Sequence, residues 1–161
     1  MRNRNRILII WLTLVLGLCW QIIPWSASYY MFKPHLLMLI LAYWLIAVPH
    51  RVSIGTAFIL GIIVDLSSGS ILGIHAFILS VIAYLLIFKF QLIRNLALWQ
   101  QSFILFGISL CYNFLIFVFQ VIVYHTLTMS PFMLLSSCID GVLWAGIYLL
   151  LRQIRRSCAI N

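Results

Sequence analysis

Apolar residues run almost unbroken along six stretches, roughly 7–24, 35–49, 53–66, 71–88, 102–124 and 131–151, and polar residues gather between them. The runs do not alternate with period two, and most are too long for a buried strand, so they predict helices in an apolar surrounding. The second and third are short, about 14 residues or ~21 Å at 1.5 Å per residue, less than a bilayer core of ~30 Å. Such segments cross by kinking at Pro49 or by local thinning, or they pair as a re-entrant hairpin. Arg51 at their junction favours two separate crossings, because these put it on the same side as Arg2, Arg4 and Arg6. The first run, closed by Pro24-Trp25, reads as a spanning helix or as a signal peptide cut near Ser26-Ala27-Ser28. Its length favours an uncleaved helix. Residues 89–101 mix Lys89 and Arg94 with Leu92, Ile93, Leu96, Leu98 and Trp99, and predict a loop with a short interfacial helix.

Polar and small residues inside the runs fall on helix faces. Thr13, Gly17 and Gln21 recur every fourth residue, a face suited to a neighbouring helix. Ser102, Ser109, Asn113 and Gln120 share one side of the fifth run and should look into the bundle. Ser137, Gly141 and Ala145 make a third stripe. Gly61, Asp65, Gly69 and Gly73 also recur every fourth residue, around a Ser67-Ser68-Gly69-Ser70 break that predicts a tight turn between two helices.

Composition narrows the class. The 161 residues are 65% hydrophobic and 7% charged, with a mean hydropathy of +1.17, where a soluble domain carries about a quarter of its residues charged. The expected fold is therefore an all-α integral membrane protein, one six-helix transmembrane domain. The formal net charge of +8 would suggest nucleic acid until the cations are placed. If the six runs alternate, Arg2, Arg4, Arg6, Arg51, Lys89, Arg94, Arg152, Arg155 and Arg156 share one side and Lys33 alone faces the other. That asymmetry predicts cytoplasmic termini and attraction to anionic headgroups, not nucleic-acid binding. Cys19, Cys111, Cys138 and Cys158 have neither disulfide nor zinc spacing.

The chain keeps only two acids, Asp65 and Asp140. A carboxylate in hydrocarbon costs on the order of 3 kcal/mol, so each needs a reason. For Asp65 the candidates are a proton or ion site, a partner-binding carboxylate, a ligand-facing break between half-helices, or a cap on the serine-rich turn. For Asp140, a packing residue hydrogen-bonded to Asn113, Gln120 or a hydroxyl across the bundle is favoured. His35, His50, His75 and His125 show no metal spacing. A His75–Asp65 relay requires folding to bring the two together. No nucleophile motif surrounds Ser67, Ser68 or Ser70, so neither an enzyme nor a metal or cofactor site is expected.

Several blocks together carry a family resemblance. They are Gln21-Ile22-Ile23-Pro24-Trp25, Tyr43-Trp44, Pro49-His50-Arg51-Val52 and Gly55-Thr56. They continue with Gly61-x-x-x-Asp65-Leu66-x-Ser68-Gly69-Ser70-x-Leu72-Gly73, Arg94-Asn95-Leu96-Ala97-Leu98-Trp99-Gln100-Gln101 and Gly141-Val142-Leu143-Trp144. In order and spacing the chain resembles the rod shape-determining MreD family in its Gram-negative form. The resemblance implies a non-catalytic, multi-pass component of the cell-elongation complex in the bacterial inner membrane. It also implies MreC as a direct partner, and MreB and the elongation peptidoglycan synthases as indirect ones. The family's fold looks like the six-helix substrate-binding component of energy-coupling-factor transporters, which leaves a small-molecule or lipid binder as the alternative. Gly61, Asp65, Gly69 and Gly73 match the family's motif. Asn113, Gln120 and Asp140 are candidates from the residues alone. Lys89, Arg94 and Trp99 are the expected cytoplasmic interface, facing lipid or a protein partner.

Overall fold

The computed structural model describes residues 2–23, 33–69, 71–124 and 133–157. Among them are six helices: α1 (Arg2–Ile22), α2 (Leu36–Ala47), α3 (Ile54–Ser68), α4 (Ile74–Asn95), α5 (Leu98–Tyr124) and α6 (Met133–Ser157). The all-helical fold expected from the apolar runs is present. Three helices, α4, α5 and α6, are long and apolar enough to cross a membrane, while α2, α3 and the apolar part of α1 are shorter.

The helix α2 explains its own shortness. Its sequence is apolar on every side, and nine of its twelve residues are buried, as expected of a helix surrounded by others. It packs against α1, α4 and α6. A helix wrapped in protein on most sides need not match the thickness of a lipid core. Trp44, in its last turn, is fully buried, and its indole N–H donates to Thr13 Oγ1 at 2.9 Å. Thr13 in turn donates to the Ile10 carbonyl at 2.8 Å. One turn further along α1, a Cβ on Gly17 would lie 3.2 Å from Leu37 Cα. The Thr13–Gly17 part of the first small-residue stripe thus seats α1 on α2.

The region 89–101 differs from expectation. There is no separate interfacial helix: α4 continues to Asn95 and α5 starts at Leu98. Gln101 is the reason. Its side-chain amide donates to the carbonyls of Ile93 (3.0 Å) and Leu96 (3.1 Å), supplying partners at a helix end that otherwise leaves carbonyls unmatched. Gln100 Oε1 accepts from the Ala97 N–H at 3.2 Å on the other side of the turn. With both ends satisfied, the chain reverses through Leu96 and Ala97.

The α3–α4 hairpin depends on Gly61. A Cβ there would lie 2.2 Å from Ala76 Cα, 2.6 Å from Ala76 N and 2.9 Å from the His75 carbonyl carbon. All three atoms are backbone, so no rotamer change relieves the clash and the helices must separate. Gly61→Ala is expected to lower stability by about 1–3 kcal/mol or more, the range for overpacking. Gly107→Ala is the control, because a Cβ at 107 meets nothing within 4 Å and alanine favours the helix by up to ~1 kcal/mol. Thermal unfolding of both variants in detergent checks this. Equal midpoints would show that the hairpin does not need the close approach.

Candidate functional site

The turn after α3 requires two glycines. Gly69 has φ +61° and Gly73 φ +106°, conformations that other residues adopt only under strain. Gly73 is also the residue before α4, and it has no side chain with which to cap that helix. The cap comes from α3. Asp65, fully buried, accepts from the N–H of Gly73 (2.9 Å) and of Ala76 (3.3 Å) at Oδ2. At Oδ1 it accepts from the N–H of His75 (3.1 Å) and lies 2.7 Å from His75 Nδ1. A carboxylate here matches the positive end of the α4 dipole and its unpaired N–H groups. The four residues of the central motif therefore meet in one hairpin: Gly61 lets the helices touch, Asp65 caps, and Gly69 and Gly73 turn the chain.

Asp140 repeats the arrangement across a far longer stretch of sequence. It is fully buried and lies ~10 Å along α6 from Met133. Its Oδ1 accepts from the His35 N–H at 2.9 Å, and its Oδ2 lies 2.8 Å from His35 Nδ1. The Ser109 hydroxyl of α5 donates to the same Oδ2. His35 immediately precedes α2, so Asp140 ties the start of α2 to α5 and α6.

The two histidine–aspartate pairs converge. Tyr112 of α5 is buried and meets the His35 ring edge-on, with centroids 4.8 Å apart. The His75 ring centroid lies 6.4 Å from that of Tyr112. Five helices meet here: α2 at its start, α3 and α4 through Asp65, α5 through Tyr112 and Ser109, and α6 through Asp140. Lys33 links α1 by donating to the carbonyls of Gln21 (2.6 Å) and Ile23 (3.1 Å). Partial burial pulls its ammonium below the usual lysine value. Next along α5, Asn113 donates to Ser136 (3.2 Å) and Ser137 (3.1 Å) of α6.

The connectivity fits a clamp rather than a catalytic triad. In nucleophilic catalysis the imidazole stands between serine and carboxylate, taking the hydroxyl proton. Here the carboxylate stands in the middle, and Ser109 donates to Asp140 rather than to His35. Groups of histidine, cysteine, aspartate or glutamate able to hold a metal are absent among the described residues.

The sequence-derived candidates separate into two groups. Gly61, Asp65, Gly69, Gly73, Asn113 and Asp140 lie in or beside the convergence. Lys89, Arg94 and Trp99 are exposed near the α4–α5 turn, at the opposite end of α4 from His75 and ~20 Å along α5 from Tyr112. Gln120 departs from expectation: it is exposed instead of facing the bundle. Asn113 already reaches Ser136 and Ser137, within ~6 Å of the start of α6, and Gln120 lies ~10 Å further along α5, beyond the first turn of α6. Nor do Asn113 and Gln120 serve Asp140; its hydroxyl donor is Ser109. Sequence reading missed His35 and Tyr112. The available signal was arithmetic: two costly acids, and two histidines each placed just before or within the first turn of an apolar run. Exposed cysteines Cys19, Cys111 and Cys138 are free thiols, whereas His125 and Cys158 lie outside the described residues.

The family model described as rod shape-determining protein MreD matches residues 1–154. The rod shape-determining protein MreD of Haemophilus influenzae is 35% identical over 162 residues, covering 98% of this chain and 99% of its own length. No solved structure matches the chain, so the likeness to energy-coupling-factor components stands as an expectation from the sequence.

Proposed function

The chain belongs to the MreD family of rod shape-determining proteins, a membrane-associated family with a role in cell shape, and from this premise we propose that it is a non-catalytic scaffold of the elongation machinery. In this reading all six helices cross the bacterial inner membrane and both termini are cytoplasmic, which the nine-to-one distribution of cations supports. The histidine–aspartate convergence then lies toward the periplasmic side and the α4–α5 turn toward the cytoplasm. The bundle holds MreC directly and, through it, MreB and the peptidoglycan synthases of elongation.

The observation that carries the non-catalytic part is where the acids point. Both are fully buried, and each is spent on the chain's own N–H groups and histidine. Two carboxylates used this way tie helices together; they do not face a substrate. The same observation weighs against the transporter-like alternative, in which a small molecule or lipid would meet Asp65 at the helix break.

Depletion of the protein from a rod-shaped host tests the function. Cells should widen and round, and re-expression should restore the rod. Cells that keep their width, with no second family member present, would overturn the shape role. A single small molecule that co-purifies stoichiometrically and is lost in Asp65→Ala would favour the binder instead.

A further inference from the structure

Away from the convergence, α4 and α5 part to leave an apolar groove of about 500 Å³ near their shared turn. That is within the ~300–1,000 Å³ range of ligand-sized sites. Its walls include Leu85, Leu92 and Leu96 on the α4 side and Ile104 and Ile108 on α5, and Lys89 is the single charged or polar residue lining it. We propose that this groove holds one acyl chain of an anionic phospholipid from the cytoplasmic leaflet, with Lys89 on the headgroup phosphate.

Three observations select this occupant. The first is length. Leu96 lies eleven positions after Leu85, ~16 Å along the helix, close to half of a ~30 Å hydrocarbon core. The groove is therefore one leaflet deep, starting from the α4–α5 turn.

The second is charge. Lys89 is exposed, with Nζ 5.1 Å from the Phe88 ring centroid. It lies six residues before the end of α4, ~9 Å below it, so its stem must reach up toward the headgroups. The chain has only two acidic side chains, and both are held by histidines, His75 lying ~20 Å along α4 from Lys89. No acidic side chain is left to pair with Lys89, and the cytoplasmic leaflet supplies anionic lipid.

The third is the texture of the wall. Close approach of a helix needs small residues, and the tight glycines of this chain are used internally: Gly17 against α2, Gly61 against α4 and Gly141 against α5. The groove is lined by leucine and isoleucine with no small residue. Such a wall admits a thin, flexible chain and lacks the small residues that let two helix backbones approach closely.

The inference rests on the topology proposed above for the leaflet it names, but lipid preference in a symmetric bilayer is blind to orientation and to cell shape. The test is native mass spectrometry of the full chain released from nanodiscs of equal phosphatidylglycerol and phosphatidylcholine. Phosphatidylglycerol should be retained in several-fold excess. Lys89→Gln should bring the two lipids near parity, Ile108→Trp should lower retention of both, and the exposed-arginine control Arg156→Gln should keep the excess. Thermal melts confirm that each variant is folded. Equal retention of the two lipids by the wild type, or an excess that survives Lys89→Gln, would overturn the proposal. So would a photo-crosslinker at Leu92 that captures a protein instead of lipid in native membranes. Failure of the cell-width experiment with the lipid preference intact would overturn only the shape role.

Discussion

Asp65→Asn is expected to fail almost as completely as Asp65→Ala. The substitution is nearly isosteric, so packing survives, but the partners cannot adapt. Oδ1 faces the N–H of His75 and Oδ2 faces the N–H groups of Gly73 and Ala76. Whichever way an asparagine amide turns, its NH2 meets a backbone N–H, and a backbone N–H cannot become an acceptor. One side of the α4 N-terminus is then left unpaired in a buried setting, and the charge opposing the helix dipole is gone. Each buried N–H left without its acceptor costs about 1–3 kcal/mol, more where that acceptor carried a charge. At ~2–4 °C per kcal/mol for a chain of this size, both variants should melt on the order of 10 °C lower. In a depleted host, neither should restore the rod. Asn variants that melt like the wild type would mean that Asp65 is not the cap of α4.

Asp140→Ala should be as damaging as Asp65→Ala, but Asp140→Asn should not. The difference lies in the partners. Asp140 faces one fixed donor, the His35 N–H at Oδ1. Its other oxygen faces His35 Nδ1 and the Ser109 hydroxyl, both of which can accept as well as donate. With the amide oxygen on the His35 N–H, the NH2 group donates to Nδ1 of the other imidazole tautomer and to Ser109 Oγ. The variant loses charge assistance and keeps its bonds, a cost nearer 1 kcal/mol. Asp140→Ala leaves His35 and Ser109 without their acceptor, at about 1–3 kcal/mol for each donor left unpaired, and opens a hole between α2, α5 and α6. A double-mutant cycle with His35→Ala should show coupling within the ~0.5–3 kcal/mol range for contacting residues, and additivity there would remove the pair. The ordering matters more than any single value: Asp65→Asn severe, Asp140→Asn mild.

The Gly61–Asp65–Gly69–Gly73 motif was legible because its logic is local. Eight residues separate Asp65 from Gly73 and ten separate it from His75, so a helix, a turn and a second helix suffice to join them. Spacing alone placed Gly61 and Asp65 on one face and marked the turn. Asp140 was visible as a problem, a costly acid in an apolar run, but its solution lay 105 residues away at His35. No period in the chain points there. Gln120 shows the reverse: its period put it on the buried face, yet burial also requires a neighbour at that height along α5, and periodicity carries no information about where the next helix begins. The α4–α5 turn misled for a related reason. Its composition is interfacial, but Gln101 reaches back to the Ile93 and Leu96 carbonyls, and a side chain that closes a turn looks in sequence like any polar loop residue.

What the residues settle unaided is therefore whatever depends on transfer from water and on neighbours along the chain. This covers the helical membrane class, the turn after α3 and the glycines it demands. Folding settles what depends on which helices touch. It makes the short, wholly apolar α2 the centre of the bundle. It brings two acids and two histidines from four places in the chain around Tyr112, and it opens an apolar groove beside Lys89. Hydrophobic burial is additive along a sequence and can be read one residue at a time. A buried carboxylate is stable only when distant donors converge on it, and that convergence is a property of the packed chain.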